Sequence, residues 1–411
     1  MNKNANRCPL LICLVLVLFM PASLGAHDFG LLFNQSAAFE GAGGSNDNDY
    51  EAALIPRFSA QLGDYGDLFL SASFAVSYEY EEWNLIPELL RNEISWRFGD
   101  IDFRAGRMIF TDPMGIVADG LFDGVRVSRH TVGGTFGFGL WYTGLLYKNR
   151  ANISMTDDDA VSIIEEVDWS DFWGTYFASR RLVAALYWQH PSVAELFRLN
   201  VALIGQGDLN ERHRSYNSQY LVANASLPLR SFIFELGGAF EIAQVVADHN
   251  VDVYTAIAVD AGLRWLPPTS FHSMLSLTGR ITSWKAEEGS LSAFTPITAV
   301  SHGDVLQARI SGLSMISLNY TARLHPSASL GLTVSHFVLM DGVSYTAYPL
   351  NGHSSRESLL GTEFFGRVIW SPFSDVSLNL GGGAFLPRLG NVVPDADPRW
   401  RVEMAATLAL R

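Results

Sequence analysis

The sequence has little cysteine, little lysine and no long apolar segment after its first 26 residues. Its two cysteines, Cys8 and Cys13, lie near the start, and lysine occurs only at Lys3, Lys148 and Lys285. A chain that loses residues 1–26 therefore has no disulfide, no thiolate metal site and no cysteine nucleophile. The formal net charge of −14 gives no electrostatic footprint for a nucleic-acid partner.

Signatures of common catalytic and metal sites are also missing. The ten histidines are dispersed without a His-Glu-x-x-His pair, and no Gly-x-Ser-x-Gly motif is present. Acidic runs at 45–49 and at Asp157–Asp159 lack the spacing of an EF-hand calcium loop. A solvated loop and a helix cap are favoured over calcium sites at these two places. The sequence predicts no catalytic residue, no metal site and no cofactor.

The first 26 residues have the composition of a secretory signal peptide. Lys3 and Arg7 precede an apolar run that ends at Phe19, and small residues lead to Ala26. This order is what export requires. The apolar run is shorter than the roughly 20 residues of a membrane-spanning helix. We predict a signal peptide at 1–26, over the alternative of a buried helix, and one mature domain at 27–411.

Alternation of apolar and polar residues with a period of two is the dominant pattern in that domain. Ser71, Ser73 and Ser77, for example, alternate with Phe74 and Val76. Such segments place large apolar side chains on one strand face and small or polar ones on the other. About 18 segments have this pattern, most of them near the roughly 10 residues of a tilted membrane strand. They lie at 28–40, 50–62, 67–80, 87–98, 101–110, 121–130, 134–147, 172–189, 193–206, 215–227, 231–246, 252–266, 270–284, 313–325, 328–341, 359–371, 375–387 and 398–410.

The connections between these segments are alternately short and long. The short ones are rich in Gly, Pro, Asp and Ser, as at 63–66 and 99–100. The longer ones include 41–49, 81–86, 148–171, 285–312, 342–358 and 388–397. Tight periplasmic turns and longer outside loops are typical of outer-membrane barrels. The sequence therefore predicts an all-β fold, a single antiparallel transmembrane β-barrel of about 18 strands, or alternatively about 16.

This fold predicts a location and partners. Closure of the sheet satisfies every backbone group in hydrocarbon, with apolar side chains outside and polar ones inside. We expect export to the periplasm, insertion into the outer membrane by barrel-insertion machinery, contact with its lipid bilayer and with small solutes, and either a homotrimer or a monomer.

The polar face of the predicted strands contains many charged side chains. Arginines around a pore wall create a positive field that favours anionic solutes. The alternative is that most of them pair with neighbouring carboxylates and only hold the wall. The predicted pore-lining residues are Arg57, Arg97, Arg104, Arg126, Arg198, Arg280, Arg323, Glu93 and Asp260.

The connection at 111–120 is the candidate constriction. It lies between the segments that contain Arg104 and Arg126, and loops of this kind narrow large barrels by folding inward. The predicted constriction residues are Thr111, Asp112, Pro113, Met114 and Asp119.

The same region resembles a known family. Gly106-Arg107, followed by an acidic-Pro loop and Phe122-Asp123-Gly124-Val125-Arg126, is similar to the alginate-export type of outer-membrane porin. The resemblance covers about 25 residues and implies a barrel of 18 strands that passes anionic sugars or small organic solutes. The chain differs from many such barrels in ending with Leu410 and Arg411 instead of an aromatic residue.

The leading hypothesis is a porin-like channel for passive diffusion of small hydrophilic, especially anionic, solutes. One alternative is a plugged surface barrel that acts as an adhesin or receptor. A less favoured alternative is an outer-membrane enzyme, for which the sequence offers no catalytic cluster. A pore measurement separates the first two.

Overall fold

A computed structural model describes residues 27–43, 45–79, 82–210, 214–247, 250–283, 292–339, 361–387 and 397–410. The predicted signal peptide at 1–26 lies outside the described residues. So do most of the predicted connections at 342–358 and 388–397, and the first part of the one at 285–312.

Eighteen strands among the described residues form one closed antiparallel sheet. β1 pairs with β2 on one side and with β20 on the other, so the sheet has no free edge strand. The two-residue strands β14 (Ser301–His302) and β15 (Ala308–Arg309) form a separate hairpin within one connection. The barrel strands are β1 (His27–Ala42), β2 (Ser45–Leu62), β3 (Gly66–Glu79), β4 (Glu82–Phe98), β5 (Ile101–Thr111), β6 (Asp119–Thr131), β7 (Gly134–Tyr142), β8 (Arg181–Val193), β9 (Phe197–Asp208), β10 (Arg214–Leu229), β11 (Phe232–Ala247), β12 (Asn250–Trp265), β13 (Met274–Thr282), β16 (Leu313–His325), β17 (Ala328–Leu339), β18 (Gly361–Phe373), β19 (Val376–Leu386) and β20 (Arg399–Leu410).

The barrel confirms the predicted fold class. Each of the 18 predicted segments overlaps one barrel strand, which excludes the alternative count of 16. Several outside connections were predicted too long, because strands extend into them. The predicted loop at 41–49 is a tight turn between Ala42 and Ser45, and β4 already begins at Glu82 within the predicted loop at 81–86.

Two predicted strand ends are wrong. The segment predicted at 134–147 ends at Tyr142, and the one predicted at 172–189 begins only at Arg181. Residues 143–147 and 176–180 still approach each other, through a bridge between Tyr147 and Phe177, but they do not join the sheet. Residues 143–146 form a turn, and the apolar side chains of Leu145, Leu146 and Phe177 explain why the sequence pattern extends past the sheet.

The β7–β8 connection contains the helices of the structure's described part. They are α1 (Lys148–Ala151), α2 (Asp157–Ile164) and α3 (Phe172–Thr175), with a 3₁₀ turn at Trp169–Asp171. α2 begins with a capping box, in which Thr156 accepts from the Asp159 amide and Asp159 accepts from the Thr156 amide. This confirms the helix cap predicted for the acidic run. No described helix is long and apolar enough to cross a membrane.

The outer face of the barrel is apolar and has aromatic residues at both ends. Phe232 stacks near Trp265, with ring centroids 6.2 Å apart, beside a short turn. At the other end, Trp83 lies 5.0 Å from Tyr78, centroid to centroid. Aromatic girdles of this kind flank the lipid-facing band of membrane barrels.

Candidate pore and its constriction

The connection between β5 and β6 folds onto the inner side of the barrel. The Asp112 carboxylate accepts hydrogen bonds from all five backbone amides of residues 114–118, at N···O distances between 2.7 and 3.1 Å. An ionised carboxylate satisfies several amide donors at once, so this single side chain fixes the turn. Ile116, Val117 and Ala118 are fully buried.

The tip of this turn reaches a distant part of the wall. Met114 packs against Gly237 of β11, where an added Cβ would lie 3.1 Å from the Met114 Cγ. Six strand positions separate β5 from β11, so the turn crosses the lumen. Met114 and Pro113 border a cavity of about 340 Å³, whose wall includes Asp260 and Arg280. The turn thus narrows the space inside the barrel.

Two further connections, β7–β8 and β13–β16, pack beside this turn. The Ile297 amide donates to the Val117 carbonyl at 2.7 Å, and the Asp119 amide donates to the Thr298 hydroxyl at 2.8 Å. Asn152 and Ala299 exchange hydrogen bonds between the other two connections. The three connections bury an apolar cluster against inward side chains of β7 to β12, namely Trp141, Val183, Ala185, Ala202, Ile204, Tyr220, Val222, Ala239, Ala256 and Ala258.

A buried ion pair holds the β7–β8 connection to the wall. Arg181 Nη2 lies 2.6 Å from Asp159 Oδ2 and 3.4 Å from Asp208 Oδ2, and all three side chains are almost fully buried. Burial opposes the charged form of Asp159, yet Arg181 and the hydrogen bonds from Ser179 and Thr156 hold its pKa below the usual value. The connection is therefore anchored by charge as well as by apolar packing.

Two wall carboxylates anchor the β13–β16 connection by accepting hydrogen bonds from its backbone amides. Glu241 of β11 accepts from the Thr295 amide at 2.9 Å and from the Tyr216 hydroxyl at 2.8 Å. Glu363 of β18 accepts from three consecutive amides, residues 304–306, at 2.7 to 3.1 Å. Alternation along β11 and β18 puts both glutamates on the inner face, but the sequence contains no signal that loop amides are their partners.

Arg104 and Arg126 lie directly opposite each other on β5 and β6. They share strand parity with the buried Met108 and Phe122, so both face the lumen. Arg104 is 3.1 Å from Glu93, whereas Arg126 has no ion pair among the described residues. The structure therefore brings two predicted arginines together on the two strands that the crossing turn connects.

Arg57 and Arg198 also face the lumen and are exposed there. Their cross-strand neighbours are Ser71 and Ser226. Neither arginine forms an ion pair with a carboxylate in the described ranges.

The other predicted lining arginines have polar partners. Arg280 forms a bidentate pair with Asp260. Arg97 pairs with Asp102 beside a short turn, at 2.7 Å. Arg323 donates to the Pro326 carbonyl at 2.8 Å. The charges of Arg280 and Arg97 are thus compensated by carboxylates, and Arg323 is held at the rim by a carbonyl.

Two of the five predicted constriction residues lie at the base of the turn. Thr111 ends β5 and Asp119 begins β6, and they face each other with 2.6 Å between Oγ1 and Oδ1. Pro113 and Met114 form the part that reaches into the lumen, and Asp112 fixes its shape. Gly237, which the sequence analysis missed, receives the tip. A glycine pair inside a strand is a signal for such close approach.

The residues of the family resemblance have a structural role here. Gly106 has a φ of +108°, and a Cβ there would overlap the Asn92 carbonyl. Arg107 is buried and forms a bidentate pair with Asp123, at 2.9 and 2.8 Å. It also donates to the carbonyls of Leu89 and Leu145. One guanidinium thus connects β4, β6 and the β7–β8 connection.

The wall from β20 to β3 contains a second cavity, of about 390 Å³. Asp49, Glu51, Arg401 and Glu403 are among its lining residues. Arg401 lies 2.9 Å from Glu40, so its charge is compensated. This side of the lumen is polar and is not covered by the apolar cluster.

The fold matches solved structures of outer-membrane proteins. No protein-family model and no curated protein matches the sequence. OccK2 (OpdF) from Pseudomonas aeruginosa has 12% identity and a TM-score of 0.61, over 94% of this chain and 99% of that one. A BenF-like porin from Pseudomonas fluorescens Pf-5 has 9% identity and a TM-score of 0.59, over 94% and 100%. The outer membrane protein OprD from Pseudomonas aeruginosa has 12% identity and a TM-score of 0.54, over 93% and 94%. The likeness shows the fold, a closed antiparallel barrel of 18 strands.

Proposed function

We propose that the chain is an outer-membrane channel through which small hydrophilic solutes, with a preference for anions, diffuse passively. The observation that carries this proposal is the turn at 112–118, which reaches Gly237 across the lumen and connects the two strands that hold the lumen-facing Arg104 and Arg126. The solute passes between this turn and the uncovered part of the wall.

The anion preference follows from the arrangement of charge. Like charges directly opposite each other on neighbouring strands destabilise a sheet. Arg104 and Arg126 have this arrangement, and Glu93 compensates the first but not the second. An anion that passes beside them lowers their mutual repulsion, and the low dielectric of the wall strengthens that interaction.

The solute class within this proposal is small organic anions, including acidic sugars. The resemblance of Gly106-Arg107 and residues 122–126 to alginate-export porins supports acidic sugars and stays a prediction. A structure of OccK2 with the same fold was solved in complex with glucuronate, a sugar carboxylate.

The proposal includes the route to the membrane. Residues 1–26 direct export to the periplasm and are removed, and the barrel-insertion machinery then places the chain in the outer membrane. Its assembly state is either a monomer or a homotrimer. N-terminal sequencing of the membrane-bound protein tests the cleavage, with His27 as the expected first residue.

Single-channel recording in a planar bilayer tests the function. We expect steady conductance and, under a salt gradient, a reversal potential that indicates anion preference. Arg126→Ala and Arg104→Ala should reduce that preference, the former more because Arg126 has no described counter-charge. Arg129→Ala is the matched control, since Arg129 lies on the other face of the same strand and pairs with Asp100. Equal shifts in all three variants would contradict a role of the lumen arginines.

A plugged surface barrel is the second candidate, and one observation favours it. The three connections fill the lumen beside β7 to β12 with a buried apolar cluster. If a folded, heat-modifiable barrel gives no conductance, the plugged adhesin or receptor takes first place.

A further inference from the structure

Pairing between β4 and β5 stops well short of the ends of both strands. It runs from Phe98 opposite Ile101 to Asn92 opposite Arg107. β4 nevertheless continues to Glu82, and β5 continues to Thr111. Among the described residues, this leaves a seam in the sheet, with the backbone edge of β4 unpaired along residues 82–91.

The aromatic residues show where the seam lies in relation to the lipid. Trp96 of β4 and Phe103 of β5 are 6.1 Å apart, centroid to centroid, near the short turn. Trp83, near the other end of β4, contacts Tyr50 and Tyr78 of the neighbouring strands. Since aromatic girdles mark the two membrane interfaces, the seam lies between them, in the outer part of the membrane. Exposed backbone groups are very unfavourable there, so the edge must be covered.

Side chains from β5 and from the β7–β8 connection cover this edge. The Arg107 guanidinium donates to the carbonyls of Leu89 and Leu145. The Tyr176 hydroxyl donates to the Pro87 carbonyl at 2.5 Å, and Pro87 itself has no N–H that needs a partner. The β7–β8 connection therefore replaces a strand as the wall beside β4.

This connection has an inner and an outer side. Leu146 and Ala178, which are joined by a backbone hydrogen bond, are buried in the apolar cluster inside the barrel. Their neighbours Leu145 and Phe177 are less buried. Leu145 is 52% exposed. It is also close to the lipid-facing Leu89, since one guanidinium binds both carbonyls.

Two tryptophans extend this outer side. Trp173 is 77% exposed and stacks on Phe177, with centroids 5.3 Å apart and an interplanar angle of 20°. Trp169 stacks on Phe172 in the same manner, at 5.7 Å and 16°. The two tryptophans are four residues apart on a helical segment and so share a face. Each ring therefore has one braced face and one free face.

We propose that this outer side, formed by Leu145, Trp169, Trp173 and Phe177, rests in the interfacial region of the lipid bilayer. Its partner is the lipid surface because the patch is continuous with the lipid-facing Leu89. Tryptophan prefers this zone, where its ring contacts acyl chains and its N–H contacts water. The wall between β4 and β8 is thus completed by a lipid-seated loop. This inference rests on the proposed membrane location of the barrel.

Site-directed fluorescence tests the proposal, because the chain without residues 1–26 has no cysteine. Trp173→Cys carries an environment-sensitive label such as NBD. Leu277→Cys, on the outer face of β13, reports whether the barrel wall is in lipid, and Asp157→Cys, on the exposed first turn of α2, reports a position in water. Each protein is reconstituted in phosphatidylcholine vesicles with or without a lipid that carries a nitroxide near its headgroup.

We expect the labels at positions 173 and 277 to lose emission with the nitroxide lipid, and the label at 157 to be quenched by aqueous iodide instead. If position 277 responds to the lipid quencher while 173 responds only to iodide, the proposal is wrong and the membrane barrel stands. If neither responds to the lipid quencher, the membrane location itself fails. Leu145→Cys gives an independent reading of the same patch where Trp173→Cys does not reach the heat-modifiable folded form.

Discussion

Two parts of the barrel wall are built from the same alternating pattern but use their inward residues differently. From β7 to β12 the inward positions hold residues such as Val183, Ala185 and Ala202, which pack against the folded-in connections. From β20 through β4 they hold residues such as Arg401, Glu51 and Glu93. The difference shows that the open part of the lumen is displaced toward the polar wall.

The covered wall also contains the charges that hold its cover in place. Glu241 and the pair of Arg181 with Asp159 are used by the connections and are unavailable to a solute. On the uncovered side, Arg57 faces a serine and has no ion pair among the described residues. Buried inward charges therefore anchor the connections, whereas exposed ones such as Arg57, and Arg198 on β9, remain available to solutes.

Arg181→Met is expected to have the largest effect, because it removes the buried charge that anchors the β7–β8 connection. The substitution leaves Asp159 and Asp208 buried without their counter-charge, which typically costs about 3–5 kcal/mol. The β7–β8 connection should detach from the wall while the hydrogen-bonded barrel persists. We expect faster protease cleavage within 143–180 and a larger, noisier conductance.

Arg150→Met is the matched control for that experiment. Arg150 pairs with Glu88 at 3.2 Å in the same connection, but its side chain is half exposed. Because one partner is half exposed, loss of this pair should cost less than loss of the fully buried pair, although Glu88 itself is buried. Equal cleavage rates in the two variants would show that the buried pair does not anchor the connection.

A smaller effect is expected at the point where the crossing turn meets the wall. Gly237→Leu places a side chain where Met114 now packs, and overpacking of this kind costs about 1–3 kcal/mol. The turn must shift into the remaining lumen, so single-channel conductance should fall. Gly238→Leu is the control, since its Cβ would be 4.0 Å from the nearest backbone atom and would face outward. A fall in conductance for both variants would point to a general distortion of β11.

The sequence was sufficient to predict the wall but not its lining. All 18 strands follow from alternation, because a strand between lipid and water must place one residue type on each side. The same rule led to the two wrong ends at 134–147 and 172–189. There, the apolar Leu145 and Leu146 lie in a turn that follows β7 and does not belong to the sheet, so local pattern alone could not reveal where pairing stops.

The inward folding of the connections depends on contacts between distant parts of the chain. The turn at 112–118 was predicted as a constriction from its position between two arginine-bearing strands. Its crossing to Gly237, and the capture of loop amides by Glu241 and Glu363, join residues more than 50 positions apart. No local spacing encodes such partners, whereas the Thr156–Asp159 cap lies within four residues and was predictable.

That cap gives the next prediction in order of size. Thr156→Ala removes the acceptor for the Asp159 amide, which typically costs about 1 kcal/mol. The first turn of α2 should fray, and amide hydrogen exchange should accelerate over residues 157–160. Ser162→Ala, within the same helix, should leave exchange unchanged or slow it, because alanine is the better helix former. Faster exchange in both would mean that the helix as a whole is marginal.

The smallest effect expected is a difference in pH response between the two anchored connections. His302 of the β14–β15 hairpin is buried, with Nε2 3.2 Å from Arg280 Nη1, and burial together with this positive charge lowers its pKa to about 3. In the unfolded chain the imidazole has a pKa of about 6.5. Below about 6.5 the detached hairpin takes up a proton that the attached one cannot, so attachment weakens as the pH falls. Asp159 has a lowered pKa, and its contribution is lost only below the usual carboxyl value of about 3.9.

At pH 5, hydrogen exchange should therefore accelerate at residues 301–309 and not at 157–164. His302→Gln should abolish that acceleration, whereas His325→Gln, at an exposed turn, should preserve it. Acceleration that persists in His302→Gln would assign the pH response to another group and remove this distinction between the two anchors.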